Sequence, residues 1–153
     1  SKEELQQLYD RFIELTDRKK EVFEDDLRVL IASMRDESFE TYHLVHLRTS
    51  GGDPTMALVK LTHGEESLIE TATGDGPVHA PCMAIERITG VTGRLSEFQI
   101  RAATPGKDAL GDAHVTVEFE DAFYYGTGAS TDIIEAAVMA YLNALNKYLA
   151  TKR

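Results

Sequence analysis

Gly74-Asp75-Gly76-Pro77-Val78-His79-Ala80 and Gly126-Thr127-Gly128-Ala129-Ser130-Thr131-Asp132 say one thing twice: a glycine pair, then a helix-forming segment. The first leads into Ile85 and Ile88, the second into Val138, Tyr141, Leu142 and Leu145, apolar residues at helical spacing. Ahead of each copy lie three segments that alternate polar and apolar residues, the period of half-buried strands. The expected architecture is α+β: two tandem βββα units related by pseudo-twofold symmetry, at about 39–90 and 94–150 within a domain of residues 38–153.

Working outward, strands are expected at 42–48, 56–61 and 67–73, with Ser50-Gly51-Gly52-Asp53-Pro54 and His63-Gly64-Glu65 as turns. A helix follows from about 77 to 89, with Pro77 in its first turn and Gly90 and Gly93 ending it. The second unit opens with a strand at 95–103, carrying Phe98, Ile100 and Ala102 on one face. A strand at 115–119 and a short one at 123–125 come next, then a helix capped by Ser130 or Thr131. Residues 1–37 form a helical linker subdomain: Leu5, Leu8, Phe12 and Leu15, then Leu27, Leu30, Ile31 and Met34, recur at helical spacing. Neither helix has a wide apolar face, so the pair is expected to pack on something else.

The chain has 153 residues, 42% of them hydrophobic, enough for one core and a small appendage but not for a barrel enzyme of about 250 residues. A formal net charge of −10 argues against nucleic acid, whose phosphates select clustered Lys and Arg. No apolar run approaches the ~20 residues that span a bilayer, and no leader precedes Leu5; a cytoplasmic protein without a membrane partner is expected. The single cysteine, Cys82, falls in an apolar helical phase and reads as a buried, inert thiol.

Each Gly-x-Gly sits, on this reading, between a strand and a helix, where backbone N–H groups and the positive end of a helix dipole suit a carboxylate or phosphate. The alternative is that the glycines only let helix and sheet approach closely. Of the five histidines, none has helical metal spacing, and His43 and His46, three apart on a strand, are expected on opposite faces; no metal site is assigned. Ser130 and Asp132 lack a nucleophile elbow, so no catalytic residue is assigned. The loop at 105–112 is glycine-bearing and longer than a hairpin needs, the kind that carries function.

With Gly106-Lys107-Asp108-Ala109-Leu110-Gly111 added to the two glycine motifs, the sequence resembles the C-terminal regulatory domain of 2-isopropylmalate synthase and its relative citramalate synthase. The likeness covers 39–147, and Lys19-Lys20-Glu21-Val22 with Asp26-Leu27 resembles the family's linker subdomain. The resemblance implies a homodimer that binds a branched-chain amino acid at its interface: leucine in the first family, isoleucine in the second. The parent enzyme condenses acetyl-CoA with a 2-oxo acid, 2-oxoisovalerate in the leucine branch, on a divalent metal in a catalytic barrel. That barrel is absent from this sequence, so the fragment implies no catalysis and no cofactor of its own. Carried over, the effector contacts are Asp75, Gly76, Pro77, Val78, Ala109 and Gly111, with Leu95, Glu97 and Arg101 from the strand that opens the second unit. From the residues themselves, N–H groups near Gly76, Val78, Ala129 and Ser130 would take the carboxylate, and Asp75 or carbonyls at 109–111 the ammonium. Glu97 and Arg101 stand where the family often holds apolar or aromatic residues, which keeps a second reading open: a dimerisation module with a vestigial pocket.

Overall fold

The computed structural model describes residues 2–18, 41–102 and 109–152. Helix α1 spans Lys2–Arg18; then come β1 (His43–Ser50), β2 (Thr55–His63), β3 (Glu66–Gly74), α2 (His79–Thr89), β4 (Arg94–Ala102), β5 (Gly111–Phe119), β6 (Ala122–Ser130) and α3 (Ile133–Ala150). The two βββα units are present, as two antiparallel sheets ordered β1-β2-β3 and β4-β5-β6, each followed by a helix. The expected second linker helix and the 38-residue boundary lie outside the described residues, as do positions 103–108 of the loop.

Each middle strand alternates as its sequence demands. Ala57, Val59 and Leu61 of β2, and Ala113, Val115, Val117 and Phe119 of β5, are buried, while the residues between them are more exposed, except Thr116, which is buried as well. The inward residues join one core with Ala84 and Ile85 of α2 and Val138, Tyr141, Leu142 and Leu145 of α3. Burying a side chain of this size stabilises by about 1.5–3 kcal/mol. Phe119 anchors an aromatic cluster, stacked on Tyr148 at 5.0 Å between ring centres and flanked by Tyr124 and Tyr141. Asn146, buried on α3, reaches back to the first unit: its Oδ1 accepts from Thr41 N (3.1 Å) and Tyr42 N (2.9 Å), and its Nδ2 donates to Tyr42 O (2.9 Å).

The duplication extends to a detail that alternation does not reveal. The β1–β2 register slips between Leu44 and His46, and the β4–β5 register between Leu95 and Glu97. Both are bulges that follow the second residue of the first strand of a unit, and they change which side chains share a face. His43 pairs with Thr62 and His46 with Lys60, two positions on one face of β2, so the two histidines share a face rather than lying on opposite ones as simple alternation predicted.

The glycine motifs, by contrast, are not equivalent. Ala57 pairs with Ala72, and Ala113, at the same place in its own middle strand, pairs with Gly128. Gly126 and Gly128 therefore lie inside β6, which runs on to Ser130, rather than in a strand-to-helix turn; β6 is also far longer than the expected 123–125 strand. Their role is the close-approach one: a Cβ at Gly126 would lie 1.9 Å from Ala140 O, and one at Gly128 2.4 Å from Ala136 O. Helix α3 lies with its Ala136, Ala140 and Ala144 on this glycine strip. Gly90 does act as expected, ending α2 with φ 73° and donating to Glu86 O.

Gly126→Ala is expected to cost more than about 3 kcal/mol of stability, because backbone rather than a flexible side chain blocks the new methyl. Gly76→Ala, with nothing within 4 Å of the new carbon, is expected to stay within about 1 kcal/mol. Urea unfolding of both variants followed by circular dichroism measures the difference.

Candidate functional site

The connection from β3 to α2 carries Asp75, Gly76, Pro77 and Val78. Ala80 N donates to Gly76 O (3.0 Å) and Cys82 N to Val78 O (3.2 Å), both in helical register. Pro81 between them has no N–H, so the ladder skips a rung and regular helix begins at His79, two residues later than the sequence suggested. Val78 stands at the N-cap with φ −99° and ψ −40°; no side chain caps the helix, and its first turn holds no acidic residue. The positive end of α2 is thus left without a carboxylate of its own. Asp75 N donates to His79 Nδ1 (2.9 Å), which places the proton of a neutral His79 ring on Nε2. The Asp75 carboxylate projects fully into solvent.

Helix α3 is the opposite case. Asp132, in extended conformation, accepts from Ile134 N (2.9 Å) and Glu135 N (3.3 Å), and Ser130 Oγ accepts from Asp132 N (3.1 Å). The cap is therefore Asp132, not Ser130 or Thr131. Ala129 and Ser130, expected to offer N–H groups at a helix start, are the last residues of β6 and pair with Asp112 and Gly111. A carboxylate already occupies this helix start, and it belongs to the chain.

The remaining expected residues fall at two ends of the second sheet. Arg101 pairs with Asp112, which pairs with Ala129, and Gly111 pairs with Ser130; the Ile133 Cγ2 methyl lies 3.3 Å from where a Gly111 Cβ would be. Ala109, just before β5, is half-buried. Toward the other end, Leu95 pairs with Val117 and Glu97 with Thr116. An open depression of about 580 Å³ lies on this sheet, lined by Glu97, Gln99, His114, Thr116, Tyr125 and Thr127 among others. Only Glu97 of the expected residues borders it. His114 Nε2 lies 2.9 Å from Asp112 Oδ2. That pair went unassigned in the sequence, although its i, i+2 spacing on an alternating strand was the available signal. Among the described residues, no hydrogen bond links 75–78 to the second-sheet group, so within one chain the expected contacts form separate sets.

Residues 21–149 match the family model described as the LeuA allosteric (dimerisation) domain. The chain belongs to this family. It is 43% identical over 152 residues to a 2-isopropylmalate synthase of Methylacidiphilum infernorum, covering 97% of this chain and 30% of the relative. Proteins of the same name from Heliobacterium modesticaldum (44% over 148 residues; 95% and 29%) and Aquifex aeolicus (40% over 157 residues; 99% and 30%) are similar to it in the same way. The chain thus spans about 30% of the length of the curated relatives it matches. The resemblance read from the three glycine motifs is borne out, although two of those glycines prove to be packing residues. Among the described residues no helix is long and apolar enough to cross a membrane.

Cys82 of this LeuA domain is buried, as its helical phase predicted, and burial pushes its thiol from 9.0 up to about 12. Burial likewise raises the Tyr141 hydroxyl. A group whose folded pKa is raised stabilises fully below its unfolded pKa and loses that contribution as pH climbs through the folded one. The urea midpoint is therefore expected to fall as pH rises from 9.0 toward about 12. Native Cys82 should resist Ellman's reagent at about pH 8 while the urea-unfolded chain reacts at once. Asp132→Ala should cost about 1 kcal/mol by uncapping α3, read as a lower thermal midpoint.

Proposed function

We propose that this chain is the effector-sensing, self-associating domain of a 2-isopropylmalate synthase. It binds the end-product leucine at an interface between two copies and so inhibits condensation of acetyl-CoA with 2-oxoisovalerate in a catalytic barrel elsewhere in the parent protein. The fragment itself is regulatory rather than catalytic, and a cytoplasmic setting belongs to the same reading.

The observation that carries this is the asymmetry of the two helix starts. Helix α3 is neutralised by Asp132, whereas α2 offers an uncapped N-terminus beside a fully exposed carboxylate at Asp75. A free α-amino acid has the complementary pair of charges: its carboxylate meets the α2 N–H groups near Gly76 and Val78, and its ammonium meets Asp75. Contacts from Ala109, Gly111, Leu95 or Ala129 and Ser130 of a second copy would complete the pocket, which accords with the split seen above. Every relative named is a 2-isopropylmalate synthase, which favours leucine over the isoleucine of citramalate synthase. Inhibition then acts through linkage, for which coupling of about 1–3 kcal/mol is typical of allosteric proteins, and the linker at 5–34 is the connection to the barrel.

Calorimetric titration of the chain with leucine, isoleucine and valine tests the reading. Micromolar binding of leucine, weakened at least tenfold in Asp75→Asn and unchanged in Asp132→Asn, is the expected result. Absence of heat with all three would leave a dimerisation module with a vestigial pocket.

A further inference from the structure

In the first sheet, β3 is an outer strand, and Arg87 Nη1 of α2 donates to its Thr71 O (3.0 Å). In the second, β6 is an outer strand, and α3 covers it in the same manner: Thr127 N donates to Asn143 Oδ1 (2.9 Å), and Lys147 Nζ donates to Tyr125 O (2.9 Å). Helix side chains thus engage the edges that would otherwise invite another strand. Strand β4 has no such cover. It is the opposite outer strand of the second sheet; among the described residues nothing pairs with its free side, and its residues are exposed except the half-buried Ile100. Phe98 is 43% exposed. Neither Glu97 nor Arg101 has a hydrogen-bonding or ionic partner among the described residues, whereas Arg94 is already bound to Glu118 (3.0 Å).

The sequence of this edge is complementary to itself. Past the bulge, β4 reads Glu97-Phe98-Gln99-Ile100-Arg101. Setting it antiparallel to a second copy with Gln99 opposite Gln99 places Glu97 opposite Arg101 and Phe98 opposite Ile100, each pair occurring twice by symmetry. Glu97, Gln99 and Arg101 share one face and Phe98 and Ile100 the other, so the ion pairs and the apolar pairs do not compete. The other open edge fails the same operation: β1, His-Leu-Val-His-Leu-Arg-Thr-Ser, has basic groups and no carboxylate to oppose them.

We propose that two copies of this chain associate by antiparallel pairing of their β4 edges, with Gln99 on the twofold axis, joining the two three-stranded sheets into one six-stranded sheet. The proposal rests on the reading of the chain as a self-associating domain and assigns the surface it uses. It also gives Glu97 and Arg101 a role other than effector contact.

Sedimentation equilibrium of the chain and three variants tests it. Glu97→Arg and Arg101→Glu each set two like-charge pairs across the axis and should weaken association about tenfold. The double variant Glu97→Arg/Arg101→Glu exchanges the charges and should recover the parent affinity to within about threefold. Gln99→Cys should form a symmetric disulfide under mild oxidation, because opposed Cα atoms at about 4.5–5.5 Å suit one, and the buried native thiol does not compete. Circular dichroism of each variant shows that the fold is retained. Variants that associate like the parent, with no cross-linking at position 99, would overturn the β4 assignment while leaving the regulatory reading intact. A parent chain that stays monomeric at every concentration would overturn both the edge pairing and the self-association, whatever the leucine titration shows.

Discussion

The close seat of α3 on β6 is the constraint from which the rest of the second unit follows. With Gly126 and Gly128 beneath it, the helix backbone approaches the strand more closely than any side chain permits. That approach brings the alanine face of α3, buried at Ala136, Ala137, Ala140 and Ala144, into the core. It also fixes Asn146, whose three hydrogen bonds to Thr41 and Tyr42 tie the end of the chain to the start of the first sheet. A buried amide paired this fully tolerates little displacement, since a shift of the helix would strand polar groups away from water. The glycine strip therefore positions both its own unit and the junction between units.

The first unit is built on the same plan with different fittings. Ala72 stands where the second unit has Gly128, and α2 is a helix of 11 residues against the 18 of α3. The shorter helix keeps an unneutralised N-terminus, and the longer one carries its own carboxylate at Asp132. Duplication thus supplied two scaffolds: one helix start is satisfied internally by Asp132, and the other, on the proposed reading, keeps its charge available for a ligand. A site that must release its occupant as concentrations fall is better served by the helix that no side chain caps.

Much of this was legible in the sequence, and the exceptions have physical causes. The strands of both sheets follow from alternation, because one face of each middle strand is buried and a half-covered sheet must alternate. The glycine motifs misled in detail because glycine pairs look alike in a turn and under a closely packed helix; only the three-dimensional partner of the missing Cβ separates the cases. The face of His43 and His46 was misjudged because a bulge adds a residue without a compositional mark. Asp132 was passed over as the cap in favour of Ser130 and Thr131, three adjacent residues that all favour that position. Among the candidate contacts, the β3–α2 connection was legible as a unit, but its distance from the second-sheet residues was not, since pairing register rather than sequence order decides which of them meet.

On the proposed edge pairing, the exposed charges of β4 serve association rather than effector contact. Glu97 and Arg101 stand unpaired on an edge strand within the described chain, and their spacing about Gln99 is what a twofold axis requires. If the proposed effector is held by α2 of one copy and closed over by residues of another, effector and association become two ligands of one equilibrium. Linkage then makes the coupling reciprocal: whatever factor association adds to effector affinity, the effector adds to association. Two ion pairs at an exposed edge supply only modest energy, screened by salt and by water. That modesty suits a regulator, because an interface held shut by its own contacts would leave the effector nothing to shift.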